Sequence, residues 1–128
     1  MENQIYENDF VSLQFLNQVL YAKYKVPIID VTIARNATAY RMQVTGGRKI
    51  PAIVDISSVK HVDKEARTFF SSLEAGKDLL ALAVILNNPV TRMMGNFFVK
   101  FYRPEYPFMF FTNLAEASKW IEDFTPND

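Results

Sequence analysis

The chain contains no cysteine and only one histidine, His61. The first absence removes a disulfide framework, a thiolate nucleophile and cysteine metal sites, and the second removes multi-histidine metal clusters. An excess of charge of either sign is also missing. Fourteen basic and fourteen acidic side chains cancel, so no overall field draws the protein to nucleic acid or to an anionic membrane. The longest apolar run, LLALAVIL at 79–86, falls far short of the roughly 18 to 20 residues of a membrane helix. The start of the chain, MENQIYENDF, has neither a basic segment nor an apolar core. The expectation is a soluble, cytoplasmic protein with no membrane insertion and no nucleic-acid partner. No repeat, linker or low-complexity segment divides the 128 residues; residues 1–128 form one domain, long enough to bury a core without staples.

What is present is an alternation of strand and helix patterns. DFVSLQF places Val11, Leu13 and Phe15 on one face, and after a break at Asn17 the segment QVLYAKYK keeps the β-rich character, which predicts a hairpin. Asp30 can cap a helix with Ile33, Ala37, Tyr40 and Val44 at 3.6-residue spacing, stopped by Gly46 and Gly47. PAIVDIS reads as a short strand. From His61 the positions Val62, Ala66, Phe69, Phe70 and Leu73 are again helical, ending at Gly76. LLALAVIL is apolar on both faces, as a central parallel strand covered by helices would be. Asn88 and Pro89 open a third helix with Val90, Met93, Met94, Phe97, Phe98 and Phe101 on one stripe. PFMFF at 107–111 is a strand, and Asn113 with Glu116 caps a last helix carrying Leu114, Ala117, Ile121 and Phe124. The order β-β-α-β-α-β-α-β-α predicts an α/β fold. Its sheet has five strands, mostly parallel, with an antiparallel hairpin at the edge and four helices.

This order, together with IVDISSVKHVDKEARTFF at 53–70, resembles the STAS domain family of sulfate transporters and anti-sigma factor antagonists, the SpoIIAA-like fold. In that family a strand of the type VLDLS leads through a short loop into an aspartate that opens a helix. Ile53 to Ser57 match the strand, Val62 and Asp63 match the end of the loop, and LLALAVIL takes the place of the following strand. The C-terminal half, NNPVTRMMGNFFVKF and then PFMFFTNLAEASKWIEDF, is similar to small bacterial proteins of this fold with no assigned function. In the antagonist branch the second residue after the aspartate is a phosphorylated serine or threonine. Here Asp63 is followed by Lys64, Glu65 and Ala66, so Glu65 stands at the matching position and no hydroxyl is present. A carboxylate brings one charge and two acceptor oxygens where phosphate brings nearly two charges and three. We read Glu65 as an acid favourable to the helix dipole, for a few tenths to about 1 kcal/mol, rather than as a phosphate mimic.

Ser57 and Ser58 lie in the loop before the switch position and read as turn residues; Thr68, Ser71 and Ser72 lie deeper in the helix. His61 and Asp63 could form a proton relay, but no serine or cysteine in a nucleophile-elbow context accompanies them. Asp55, a carboxylate in an apolar strand, must be paired or must sit at the strand's C-terminal end, where open α/β sheets bind ligands. TGGRKIP at 45–51 lacks P-loop spacing and reads as a helix stop. Arg92, Asn96, Lys100 and Arg103 read as a solvated face.

No catalytic residue, metal site or cofactor is expected. The leading expectation is a non-enzymatic protein-interaction or regulatory module that uses Ser57, Ser58, His61, Asp63, Lys64 and Glu65 to meet a regulatory partner or a second copy. It predicts an exposed apolar patch beside Glu65 and a filled core. The alternative is a carrier or sensor of a small apolar, lipid-like molecule, because the same broad fold class looks related to lipid-exchange domains and the aromatic residues exceed what a thin core needs. It predicts an enclosed cavity of roughly a few hundred Å³ bordered by Phe97, Phe101 and Trp120.

Overall fold

The computed structural model describes residues 3–89 and 105–126. Its main sheet has six strands: β1 (Ile5–Glu7), β2 (Val11–Leu16), β3 (Val19–Tyr24), β5 (Ile50–Asp55), β7 (Leu79–Ile85) and β8 (Phe108–Phe111), in the spatial order β1-β2-β3-β5-β7-β8. A second, two-stranded ribbon pairs β4 (Ile28–Ile29) with β6 (His61–Val62) in parallel. The helices are α1 (Val31–Thr45), α2 (Lys64–Phe70) and α3 (Leu114–Ile121), the last running into a 3-10 turn at Glu122–Phe124. The expected third helix over Pro89 to Phe101 falls almost wholly outside the described residues.

The β2–β3 hairpin forms as expected. Its two-residue turn is Asn17–Gln18, both at positive φ (52° and 65°), the geometry that matches the right-handed twist of the flanking strands. The register pairs Leu13 with Ala22 and Phe15 with Leu20, putting the buried Val11, Leu13 and Phe15 on one face. The sheet is parallel from β3 through β8. The five-stranded expectation is corrected by β1, which pairs antiparallel with β2 through Ile5, Tyr6 and Glu7. Three residues flanked by polar ones carry too little alternation to announce an edge strand, and their partner is set by pairing rather than by their own pattern.

The helix caps follow the sequence. Asp30 accepts from Ile33 N at 2.8 Å at the start of α1, and Gly46 at φ 62° ends it, donating its N–H to Met42 O. Asp63 caps α2, accepting from Ala66 N at 2.8 Å, and Asn113 caps α3, accepting from Glu116 N at 2.9 Å. Helix α2 is shorter than the pattern suggested at both ends: it begins at Lys64, because His61 and Val62 pair with Ile28 and Ile29 as β6 instead. It stops at Phe70 instead of reaching Gly76, because the hydroxyls of Ser71 and Ser72 donate to the carbonyls of Thr68 and Phe69 and compete with helix continuation. Leu73 is 76% exposed in the turn that follows.

Two cores flank the sheet. One joins Val11, Leu13, Phe15, Leu20, Ala22 and Ala52 to α1 and α2 through Ala34, Ala37, Ala66 and Phe69. The other joins Val19, Ile53, Ala81, Ala83 and Ile85 to α3 through Ala117 and Ile121. The alternation of β7 explains both: Ala81, Ala83 and Ile85 face α3, while Leu82 packs toward α1 and α2. No helix among the described residues is long and apolar enough to cross a membrane.

Candidate functional site

The loop between β5 and α2 is tied down from three sides. Asp55 ends β5, and its Oδ1 accepts from Ser57 N at 2.8 Å and from the Ser57 hydroxyl. The carboxylate is thus paired locally, as the structural alternative for a strand acid requires. The Asn88 side-chain amide donates to Ser57 O at 2.8 Å and to Val59 O at 3.3 Å, so the residue expected only as a cap also anchors this loop. Lys60 N and His61 N both donate to Pro27 O, and Asp63 N donates to Ile29 O. Of the expected partner-binding residues, Ser58, His61, Lys64 and Glu65 are exposed, Ser57 and Asp63 half-buried. His61 and Asp63 are not joined by a hydrogen bond; the Asp63 carboxylate is engaged in the cap. Glu65 sits in the first turn of α2, where an acid favours the dipole. Ile28, paired with His61 across the ribbon, is 53% exposed.

Between the sheet and the face that carries α1 and α2 lies a half-open cavity of about 150 Å³. Its walls are apolar, with Leu13, Leu20, Leu82, Val84 and Phe110 among them. Four alanines, Ala22, Ala37, Ala52 and Ala75, border it, and their short side chains leave room that larger residues would fill. The inner residues of the ribbon, Ile29 and Val62, close one part of the wall, while their neighbours Ile28 and His61 face outward.

A cluster of polar groups sits in this apolar wall. Arg41, on α1, is only 9% exposed. Its Nη1 donates to Lys77 O at 2.9 Å and its Nη2 to Ala75 O at 3.0 Å, which fastens α1 to the turn between α2 and β7. Among the described residues no carboxylate lies within ion-pair distance of it. Burial lowers the pKa of the guanidinium, and Tyr106, Tyr24 and Asp78 partly offset this. Tyr24 is 7% exposed; burial raises its phenol well above the ordinary tyrosine range, and Arg41 pulls the other way. Thr38 and Tyr106 also line the cavity. The Tyr106 ring lies so close to Gly76 that a Cβ there would stand 2.6 Å from its Cε2.

Of the residues expected to border a cavity, Trp120 is the one among the described residues. It lies on the α3 side, its ring centroid 5.6 Å from Phe111 and 4.8 Å from Phe124, half-buried and packed against the core there. Phe97 and Phe101 lie outside the described residues, as do Arg92, Asn96, Lys100 and Arg103. The missed residues are Tyr24, Thr38 and Arg41. The apolar positions of α1 put its inner stripe at Ile33, Ala37, Tyr40 and Val44, whereas the buried residues are Ala34, Ala37, Thr38, Arg41 and Thr45. An arginine inside a helix reads as solvated unless its carbonyl partners, some thirty residues away, are known. TGGRKIP is a helix stop, with Gly46 and Gly47 at φ 62° and 82°, and Arg48 packs over the Phe15 ring at 4.9 Å. Among the described residues no group of three or more His, Asp or Glu could hold a metal ion.

A family model described as a domain of unknown function, DUF7793, matches residues 13–125. No curated protein matches the chain. Among solved structures, the chain is similar to an uncharacterized protein of the DUF3478 family with a SpoIIAA-like fold from Shewanella loihica. The two share 18% identity, with 91% of this chain and 90% of that one covered, at a TM-score of 0.59. The chain therefore has a SpoIIAA-like α/β fold.

Proposed function

We propose, on the premise that the chain belongs to the DUF7793 family, that the protein is a non-enzymatic binding module of STAS type that carries or senses a small apolar molecule. The observation that carries this reading is the half-open apolar cavity of about 150 Å³ beside α1 and α2. That volume matches a dry cavity known to accept a guest the size of benzene, so the ligand is a compact ring or short chain rather than a full lipid. The reading also takes the protein as soluble and cytoplasmic, with no cofactor and no nucleic-acid partner.

A second reading rests on a different observation. Ile28, His61, Lys64 and Glu65 form an exposed surface on and beside the ribbon, with an apolar residue at its edge. This surface suits a regulatory protein partner, or a second copy of the chain, without a serine phosphoswitch, because Glu65 stands where the hydroxyl would be. The two readings meet at the ribbon: a guest in the cavity touches Ile29 and Val62, whose neighbours form the outer surface.

Native mass spectrometry of the protein purified from its own host tests the first reading. A stoichiometric small-molecule adduct, lost from an Ala52→Leu variant that narrows the cavity, is the expected result. A ligand-free spectrum, combined with no thermal shift from any compact apolar compound, would overturn it.

A further inference from the structure

Burying a cation in an apolar wall is costly unless an anion or a set of dipoles compensates it. Among the described residues Arg41 has two backbone carbonyls as hydrogen-bond partners for this purpose, with Asp78 contributing at longer range. Two of the five guanidinium N–H donors are spent on them, Arg41 is one of the residues that line the cavity, and no ion-paired carboxylate among the described residues accompanies it. Tyr24 lines the same cavity, is 7% exposed, and its phenol interacts electrostatically with Arg41. One wall of an otherwise apolar space thus offers a cationic fork and a phenol donor, a combination that matches a carboxylate.

We propose that the cavity takes a small organic monocarboxylate, its carboxylate received by Arg41 and Tyr24 and its short alkyl or aromatic body lying against Leu82 and Phe110. This rests on the binding reading above and names the ligand class for that site. The division of roles is physical. The apolar body supplies affinity through burial, and the charge-assisted hydrogen bonds select the acid over its neutral counterpart. Without a guest, Arg41 still holds α1 to the Ala75–Lys77 turn, so the residue has a structural task as well. A useful test must separate the two.

The experiment is calorimetric titration of the full chain with benzoate and hexanoate, each against its neutral counterpart, benzyl alcohol and hexanol. The acids are expected to bind roughly tenfold or more tightly than the alcohols, and Tyr24→Phe is expected to narrow that ratio by weakening acid binding more than alcohol binding. Equal binding of acid and alcohol would overturn the carboxylate assignment and leave the apolar cavity intact. Binding of neither would overturn both, as it would if the chain's own residues fill the space. Arg41→Met should abolish the preference for acids. If that variant does not fold, the comparison of acid with alcohol on the unaltered protein decides the matter alone.

Discussion

Replacing Asp63 by alanine removes the oxygen that accepts from Ala66 N and leaves the first turn of α2 without its cap. The expected cost is about 1 kcal/mol, read as a lower urea midpoint with unchanged slope. Glu65→Gln, two positions on, should change stability by only a few tenths of a kcal/mol, because the side chain is exposed and its effect is limited to the dipole. A drop as large as that of Asp63→Ala would show that Glu65 does more than the structure assigns to it. Tyr24 gives a pH-dependent prediction. Burial raises its pKa, so above about pH 10 the folded state keeps a proton that the unfolded chain loses. Stability is intact below that pH and falls as pH rises, by up to about 1.4 kcal/mol per pH unit for one such group. Arg41 acts in the opposite sense, since burial lowers its pKa. The informative measurement is therefore the difference between unaltered protein and Tyr24→Phe, which should decline less steeply in alkali; parallel curves would refute the assignment.

At the scale of elements, Gly46 is where α1 turns left-handed. A Cβ there would meet nothing within 4 Å, so the cost of Gly46→Ala is conformational alone, about 1 kcal/mol, measurable as a lower melting temperature. Gly76 poses the reverse problem: no left-handed backbone, but a Tyr106 ring in the way. The ring is the far end of a flexible side chain, so Gly76→Ala should displace it and alter the cavity mouth with little loss of stability, seen as a shift of the Tyr106 ring resonances. How legible each element was depended on how much of its pattern was local. The caps at Asp30 and Asn113 could be read because the capping side chain and the N–H that donates to it are three residues apart, and Asp63 came with the family resemblance. The end of α2 could not, because Leu73 and Gly76 mimic a continuing helix while the serine hydroxyls that end it leave no periodic trace. The ribbon, two residues on each side, is too short to show alternation at all.

For the whole molecule, the α/β class and the order of the main elements were legible because strands and helices alternate at distinct periods. The cavity beside α1 and α2 was not. Its polar groups come from β3, α1 and the segment before β8, and only the folded chain brings Tyr24, Arg41 and Tyr106 to one wall. In the expected site around Ser57 to Glu65 the side chains of Ser57 and Asp63 hold the loop and the helix cap, while Ser58, His61, Lys64 and Glu65 are exposed. Self-association of this surface is open to sedimentation: a concentration-dependent dimer, weakened by Ile28→Lys, would support it, and a monomer at high concentration would remove it.

The strand order β1-β2-β3-β5-β7-β8 never doubles back. Each strand of the main sheet is laid beside the one made before it, so a chain leaving the ribosome can add to a growing edge without waiting for a later segment to slip between earlier ones. Synthesis and strand pairing can therefore run in the same direction, with α3 laid over the second face once β8 is in place.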